Sequence, residues 1–186
     1  MKDFYDKFKL FAYADGACHG NGSANARGGW AFIIQFDNKT KEIHAAGYVK
    51  NTTNQRMEML AVIKILEEIK VRWANLSLPI IIFSDSKYVV KGATDWMFKW
   101  ERKGWTRQYR RINDKGNNRP DAVKVANLDL WKKMFGLVNE IKPVIQWVKG
   151  HSGNKYNELC NDLASTAINV QSDCFKIIRN PANGNI

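Results

Sequence analysis

The sequence predicts an α/β protein whose sheet mixes antiparallel and parallel strands. Three β-type segments, at residues 9–14, 30–36 and 43–49, follow one another without an intervening helical pattern. Beyond residue 53, helical and strand patterns alternate, and residues 80–83 are apolar without a polar residue at every second position. Such a run is typical of a central strand that helices cover on both sides. A meander followed by helix–strand alternation therefore predicts one mixed sheet in an α/β fold.

Local patterns define the boundaries of the predicted elements. Residues 16–29 are rich in Gly, Asn and Ser and predict a loop between the first two strands. Residues 54–72 predict the clearest helix, because apolar side chains recur there at helical spacing. The later predicted elements are a helix at 86–103, a basic loop at 106–126, a helix at 129–140, a strand at 144–148, a loop at 150–154 and a helix at 156–169. The polar residues 171–186 are expected to be disordered.

The excess of positive charge indicates a polyanionic partner. The 186 residues include 29 Lys and Arg against 18 Asp and Glu, a net charge of +11. Much of the excess lies between Lys99 and Lys124, and three tryptophans are interleaved with the start of this basic segment. A solvated basic face is the simplest interpretation of a charge run. The interleaved aromatic residues favour a surface that grips phosphates, so we expect contact with nucleic acid.

Composition excludes several other classes of protein. No apolar stretch approaches the roughly 20 residues that span a bilayer, and residues 1–9 lack the apolar region of a signal peptide. The three cysteines, Cys18, Cys160 and Cys174, are odd in number and lack zinc-ligand spacing. We therefore expect reduced thiols in a single-domain cytoplasmic protein.

Three carboxylates stand where the predicted fold would aim them into one pocket. Asp15 follows the first strand, Asp85 follows the apolar strand, and Glu58 stands in the first turn of an apolar helix. A Glu at a helix N-terminus can simply stabilise the helix dipole, but the apolar neighbours of Glu58 on its helix face favour a functional role. Clustered carboxylates are costly unless a cation lies between them, and a divalent metal is the usual cation. The first hypothesis is a metal-dependent reaction.

Five motifs, in order along the chain, resemble those of the type 1 ribonuclease H family. They are YADGACHGN at 13–21, TNQRMEM at 53–59, FSDSKYV at 83–89, WVKGHSG at 147–153 and NELCNDLA at 157–164. The resemblance implies a ribonuclease H-like fold, with a five-stranded mixed sheet in the order 3-2-1-4-5 and helices on both faces. It also implies a catalytic domain at 9–170, between an N-terminal extension at 1–8 and a C-terminal tail at 171–186.

The same resemblance implies the reaction. The family consists of endoribonucleases that hydrolyse the RNA strand of RNA/DNA hybrids and leave 5′-phosphate and 3′-hydroxyl ends. The family's catalytic positions correspond to Asp15, Glu58 and Asp85, which would hold two Mg²⁺ ions about 4 Å apart, with Mn²⁺ as a substitute. The expected partner is the hybrid duplex. A monomer without an obligate protein partner is expected.

The fourth metal position departs from the family pattern, which usually has an acid two residues before the Leu of the last motif. Asn161 occupies that position, and the acid follows one residue later as Asp162. One residue rotates a helical side chain by about 100°. We therefore predict that Asn161 completes the metal site through its amide oxygen, a donor that Mg²⁺ accepts. The alternative, in which Asp162 reaches inward, stays open.

Two further residues acquire auxiliary roles from the resemblance. His151, in the loop Gly-His-Ser-Gly, would help a proton reach the leaving group or speed product release, although a lone histidine is usually structural. Glu158 resembles the family's accessory acid near the metals. As a glutamate at a helix start, it has an almost equally good structural interpretation.

Substrate-binding residues follow from the same resemblance. Asn54 and Gln55 are expected beside the minor groove on the RNA side, and Asn21 and Thr53 resemble a pocket for a phosphate of the DNA strand. Asn51 stands where the family often has a basic residue, which would weaken this pocket. The predicted basic handle, which would grip the substrate, comprises Trp96, Trp100, Arg102, Lys103 and Trp105. Its tryptophans can equally be core residues.

Two alternative functions remain at this point. The departure at Asn161 makes a catalytically weak or silent hybrid-binding module conceivable, although the three retained acids argue against it. Another metal nuclease of the same fold, such as an integrase or a Holliday-junction resolvase, is the other alternative. The basic handle and the Asn-Gln pair before Glu58 favour a ribonuclease H.

Overall fold

The computed structural model describes residues 10–36, 41–73, 79–112 and 118–179. The strands are β1 (Leu10–His19), β2 (Arg27–Phe36), β3 (Lys41–Lys50), β4 (Ile80–Ser84), β5 (Thr106–Ile112), β6 (Asn118–Lys124), β7 (Val144–Trp147) and β8 (Cys174–Arg179). The helices are α1 (Asn54–Trp73), α2 (Lys87–Lys91), α3 (Met97–Glu101), α4 (Leu128–Ile141) and α5 (Lys155–Val170), with a π-helical turn at Gly92–Trp96 between α2 and α3. The predicted extension at 1–8 lies outside the described residues.

Six strands form one mixed sheet in the order β7-β4-β1-β2-β3-β8. β1 and β3 are antiparallel to β2, whereas β4 is parallel to both β1 and β7. The five predicted strands therefore occur in the predicted order, as β3-β2-β1-β4-β7. The prediction of a mixed α/β fold is confirmed.

The sheet has one strand more than the five predicted. β8 pairs antiparallel with β3, from Lys41 opposite Arg179 to Ala46 opposite Cys174. The expectation of disorder for residues 171–186 is therefore wrong for this strand. Without β8, the edge of β3 would present unpaired backbone groups, and the apolar β-forming residues within 174–179 supply a partner for them.

β1 and β2 are longer than predicted, because the glycines of this segment serve close packing. The ladder between them continues to His19 opposite Arg27, so only residues 20–26 connect the strands. A Cβ atom on Gly16 would fall on the backbone of Glu58, and one on Gly29 would fall on the carbonyl group of Ala164. Helices α1 and α5 can therefore approach opposite faces of the sheet at this point.

The predicted basic loop at 106–126 contains a two-stranded hairpin. β5 and β6 pair antiparallel, from Thr106 opposite Lys124 to Ile112 opposite Asn118. The sequence hides these strands, because their many charged and polar residues leave neither face with an apolar stripe. The other predicted helices and the strand at 144–148 agree with the structure to within two residues, apart from the π-helical turn.

Apolar layers cover both faces of the sheet. On one face, α1 and α4 pack on a core that includes Ala12, Ile65 and the fully buried Trp131. On the other face, α5 packs on β1, β2 and β3 through Cys160 and Ala164. Among the described helices, none is long and apolar enough to cross a membrane.

Candidate active site

The three predicted carboxylates come from three elements that meet near the middle of the sheet. Asp15 lies within β1 and is 7% exposed. Asp85 directly follows β4, the parallel neighbour of β1, and is half-buried. Glu58 is the fifth residue of α1 and so lies in its second turn, not in the first turn as predicted. The backbone of Glu58 packs against Gly16. The fold thus brings together residues that are up to 70 positions apart in the sequence.

Burial and like charge keep protons on Asp15 and Glu58. Burial, followed by the charge of Asp85, raises the pKa of Asp15 to about 8, although the Gly16 amide donates a hydrogen bond of 2.7 Å to its Oδ1. Burial also raises the pKa of Glu58 to about 7, and the charge of Asp85 contributes. Asn54 opposes this shift through a hydrogen bond of 2.9 Å from its Nδ2 to Oε1 of Glu58.

The loop after β7 approaches the third carboxylate. Burial raises the pKa of Asp85, whereas the charge of His151 and the amide of Asn157 lower it. A Cβ atom on Gly150 would fall on the carboxylate of Asp85, so only glycine permits this approach. His151 itself is exposed and has a left-handed backbone with φ of 49°.

The cluster has the donor chemistry that a divalent cation requires. All its ligating atoms are oxygens, and Oε2 of Glu58 is buried without a hydrogen-bond partner among the described residues. Within these same residues, no three His, Cys, Asp or Glu side chains converge closely enough to enclose an ion by themselves. This arrangement fits Mg²⁺, which proteins usually hold through one or two carboxylates while water and substrate phosphate complete the shell.

The two candidates for the fourth ligand, Asn161 and Asp162, lie on different faces of helix α5. Asn157, four residues before Asn161, is only 3% exposed, and Ala164, three residues after it, is fully buried. Asn161 is half-buried on this inward side, whereas Asp162 is exposed. The inward position of Asn161 favours it over Asp162, because side chains three or four residues apart share a helix face. Its role as a metal ligand stays a prediction.

Glu158 contacts the loop that carries His151. Its Oε1 accepts a hydrogen bond of 2.9 Å from the backbone amide of Gly153, and its side chain is exposed. In this arrangement Glu158 supports the loop. The predicted role as an accessory acid beside the metals is neither supported nor contradicted by this contact.

The predicted substrate residues at the start of α1 are linked to the carboxylate cluster. The side-chain oxygen of Asn21 accepts a hydrogen bond of 3.1 Å from the backbone amide of Asn54, which in turn binds Glu58 through its side chain. Thr53 accepts a hydrogen bond of 3.3 Å from the backbone amide of Arg56 and so caps the helix. Gln55 is exposed beside them.

The tryptophans of the basic handle form part of an aromatic cluster. Trp96 and Trp100 are both half-buried, and their ring centroids lie 5.8 Å apart. Trp100 also packs edge-on against Trp131, with ring centroids 5.5 Å apart. Trp105 packs perpendicular to Phe135. Arg102 and Lys103 are exposed beside this cluster.

A cleft of about 240 Å³ separates the handle from the start of α1. It is lined by Gln55, Trp96, Trp100 and Arg107, among others. Trp96 and Trp100 thus combine the core role and the surface role that the sequence left open, because each packs in the aromatic cluster and also lines the cleft.

Sequence reasoning missed two polar residues of the site. Asn157 is buried and influences the pKa of Asp85, but an Asn near a helix start resembles an ordinary capping residue. Ser86 accepts a hydrogen bond of 3.4 Å from the Val89 amide as the cap of α2, and its hydroxyl also lowers the pKa of Glu58. Both residues lie inside the motifs quoted above, and this is the one signal that could have identified them.

A family model for RNase H matches residues 7–169. The chain belongs to the ribonuclease H family. The ribonuclease H of Francisella tularensis subsp. novicida is 38% identical over 168 residues, which make up 90% of this chain and 96% of that protein. The ribonuclease H of Francisella philomiragia is 37% identical over the same shares of the two chains.

Solved structures of ribonucleases H share the fold. LC9-RNase H1, described as a type 1 RNase H with the type 2 active-site motif, superposes with a TM-score of 0.74 at 26% identity, covering 94% of this chain and 79% of that one. LC11-RNase H1 in complex with an RNA/DNA hybrid has a TM-score of 0.57 at 18% identity, covering 86% and 99% of the two chains. This ribonuclease H is therefore a metal-dependent endonuclease that cuts the RNA strand of RNA/DNA hybrids, by the two-metal mechanism general to its family.

Proposed function

We propose that Asp15, Glu58 and Asp85 hold two Mg²⁺ ions, with the amide oxygen of Asn161 as the fourth oxygen donor. The observation that carries this proposal is that β1, β4 and α1 bring three carboxylates together, with Asp15 buried and Oε2 of Glu58 buried without a hydrogen-bond partner among the described residues. Burial and mutual repulsion also raise the pKa of Asp15 to about 8 and that of Glu58 to about 7. A cation offsets the burial and the repulsion that cause these shifts. When bound, the ions supply an activated water molecule and stabilise the leaving 3′ oxygen. Mn²⁺ suits the same oxygen donors and can replace Mg²⁺.

Neighbouring polar groups orient two of the carboxylates toward one pocket. The Gly16 amide engages Oδ1 of Asp15, and the Asn54 side chain engages Oε1 of Glu58. Oε2 of Glu58 has no hydrogen-bond partner among the described residues and is therefore available for an ion. Because the groups that hold the carboxylates are themselves part of β1 and α1, little reorganisation is needed when the ions bind.

His151 is assigned the transfer of a proton to the leaving oxygen, or the assistance of product release. The close contact of Gly150 with Asp85 anchors its loop at the site, and the bond from Gly153 to Glu158 supports the far side of the loop. An exposed imidazole on such a loop can approach a bound substrate and withdraw again.

The RNA/DNA hybrid binds, in this proposal, along the surface between the start of α1 and the basic handle. Asn54 is hydrogen-bonded both to Asn21 and to Glu58. The next residue, Gln55, lines the cleft together with Trp96 and Trp100 of the handle. The basic segment from Lys99 to Lys124 complements the phosphates on this path. We propose that the protein acts on the hybrid as a monomer.

Cleavage assays with three substrates test this assignment. Labelled RNA/DNA hybrid, duplex DNA and single-stranded RNA are incubated with Mg²⁺, Mn²⁺ or a chelator. We expect cleavage of the hybrid with either metal and none with the chelator. Glu58→Gln should lose cleavage but keep hybrid binding, since its binding surface is intact. If Glu58→Gln cuts as fast as the wild type, the assignment of the metal site is wrong. Hybrid binding without cleavage by the wild type would instead favour the silent module.

A further inference from the structure

Three aromatic rings form a continuous stack on the face of the sheet that α5 covers. The ring of Phe83 on β4 stacks on that of Tyr13 on β1, with centroids 5.1 Å apart and an interplanar angle of 23°. Tyr13 stacks in turn on Tyr156, in the first turn of α5, at 5.0 Å and 27°. We call these three residues the aromatic row. It connects three elements that are distant in sequence.

Each ring of the aromatic row stands close in sequence to a residue of the metal site. Phe83 precedes Asp85 by two positions, and Tyr13 precedes Asp15 by two positions. Because side chains alternate along a strand, Tyr13 and Asp15 lie on the same face of β1. Tyr156 begins the helix that carries the fourth proposed ligand five residues later. The row therefore links the three elements that carry Asp15, Asp85 and that ligand.

A buried polar network fixes the outer end of the row. The hydroxyl of Tyr156 donates a hydrogen bond of 2.8 Å to Oε1 of Glu42, which also accepts one of 3.1 Å from Gln35. The Nε2 atom of His44 lies 2.8 Å from the second oxygen of Glu42. Burial alone would raise the pKa of Glu42, but the hydrogen bonds from His44 and Tyr156 outweigh it and lower the pKa. The ionised Glu42 thus holds the ring of Tyr156 in one orientation.

We propose that the aromatic row sets the spacing of the metal site and that Tyr156 is a positioning residue for the cleavage reaction. The stacked rings define how far the start of α5 lies from β1 and β4. They therefore define the separation of the oxygen donors on these elements, which metal binding and in-line attack both require. The inference rests on the proposed metal site.

The chain offers a matched control for simple loss of aromatic packing. Phe36 packs edge-on against Trp73 with centroids 5.6 Å apart, and like Tyr156 it is half-buried. Phe36 pairs with Leu10, at the end of β1 opposite to the carboxylate cluster. Its replacement should therefore affect stability without changing the spacing of the site.

The test compares Tyr156→Leu, Tyr156→Phe and Phe36→Leu under conditions in which circular dichroism shows all of them folded. For Tyr156→Leu, we expect kcat to fall about tenfold with little change in KM, because the reacting groups are displaced while the binding surface is intact. The Mg²⁺ concentration that half-saturates the protein, measured by calorimetry without substrate, should rise about threefold or more. Tyr156→Phe keeps the stacked ring and loses only the hydrogen bond to Glu42, so both values should lie between those of Tyr156→Leu and those of the wild type.

The inference is overturned if folded Tyr156→Leu keeps the wild-type kcat and Mg²⁺ affinity, or if Phe36→Leu shifts both values equally. If Tyr156→Leu does not fold, Phe83→Leu removes the opposite ring of the row and carries the same expectations. The proposed metal site is tested separately by Mg²⁺ binding to the wild type and to Glu58→Gln. If the wild type and Glu58→Gln bind Mg²⁺ equally well, the proposed metal site is wrong, independently of the result for the aromatic row.

Discussion

Asp15 and Glu42 lie on the same face of the same sheet and are equally exposed, at 7%, yet their pKa values move in opposite directions. Burial and the neighbouring Asp85 raise the pKa of Asp15 to about 8. Burial also opposes ionisation of Glu42, but its hydrogen bonds, including those from His44 and Tyr156, lower its pKa below the ordinary value. Equal solvent exposure therefore does not make the two carboxyl groups alike. Asp15 is more deeply surrounded by protein and has like-charged neighbours, whereas Glu42 has hydrogen-bond donors.

The difference separates a structural carboxylate from a functional one. Glu42 has its hydrogen-bonding capacity satisfied by protein groups and needs nothing from outside. Asp15 has one backbone donor and two like-charged neighbours, Glu58 and Asp85. A buried acid of this second kind is stabilised by a cation, and perturbed acids of this kind cluster at functional sites.

The largest expected effect concerns the reaction rate. Asp85→Asn should reduce hybrid cleavage by about a thousandfold or more, because the amide cannot supply the charge that the proposed ions require. Glu42→Gln, the same chemical change at the structural carboxylate, keeps an oxygen that can accept the hydrogen bond of Tyr156 and should leave kcat within about threefold. Single-turnover cleavage of labelled hybrid measures both. Comparable losses in the two variants would remove the distinction between the carboxylates.

The second prediction concerns the stability of the protein without metal. The folded-state pKa of Asp15 lies above its ordinary value, so the folded protein binds a proton that the unfolded chain releases, and stability falls as pH rises from about 4 to 8. Between pH 5 and 7 this group should cost about 3 kcal/mol of unfolding free energy, and Asp15→Asn should abolish that part of the decline. Urea unfolding in chelator at both pH values measures the change.

The contribution of Glu42 to the free energy of unfolding should change with pH in the direction opposite to that of Asp15. Its lowered pKa stabilises the folded protein at neutral pH, and this contribution is lost as pH falls through its folded-state pKa. Glu42→Gln should therefore reduce stability at pH 7 more than at low pH. A stabilising effect of Glu42→Gln at pH 7 would contradict the comparison.

The third prediction concerns proton release when metal binds. Because Asp15 and Glu58 hold protons below pH values of about 8 and 7, Mg²⁺ must displace them. The apparent affinity should rise about fiftyfold between pH 6 and 7, and calorimetry in buffers of different ionisation enthalpy should detect between about one and two released protons. Glu42→Gln should show the same pH dependence. A pH-independent affinity would mean that the two acids are already ionised.

The smallest expected effect distinguishes the two candidates for the fourth ligand. Asn161→Ala should raise the half-saturating Mg²⁺ concentration about threefold, because one neutral oxygen donor is lost. Asp162→Ala serves as the adjacent control and should have little effect, since Asp162 is exposed. A titration of cleavage against Mg²⁺ compares them. A larger shift for Asp162→Ala would assign the ligand to that residue.

Much of the fold follows from the sequence, because its signals are local. The period of the apolar residues identifies α1, and the unbroken apolar run identifies β4 as a central strand. A local signal such as glycine is ambiguous, because glycine occurs both in loops and where a helix packs closely on a sheet. The sequence predicts a loop that contains Gly16 and Gly29, whereas in the structure these glycines permit helices to approach the two faces of the sheet. β8 was missed because an added edge strand depends on the partner that it covers.

The acids and the family motifs around them can be identified from the sequence alone, since residue types and their spacing are the same in any conformation of the chain. Which acids lie close together depends on how the strands and helices pack. It placed Asp15 beside Glu58 and Asp85, whereas it enclosed Glu42 among hydrogen-bond donors. A pKa depends on burial and on charges within a few ångströms. These distances arise only when strands and helices remote in sequence pack together.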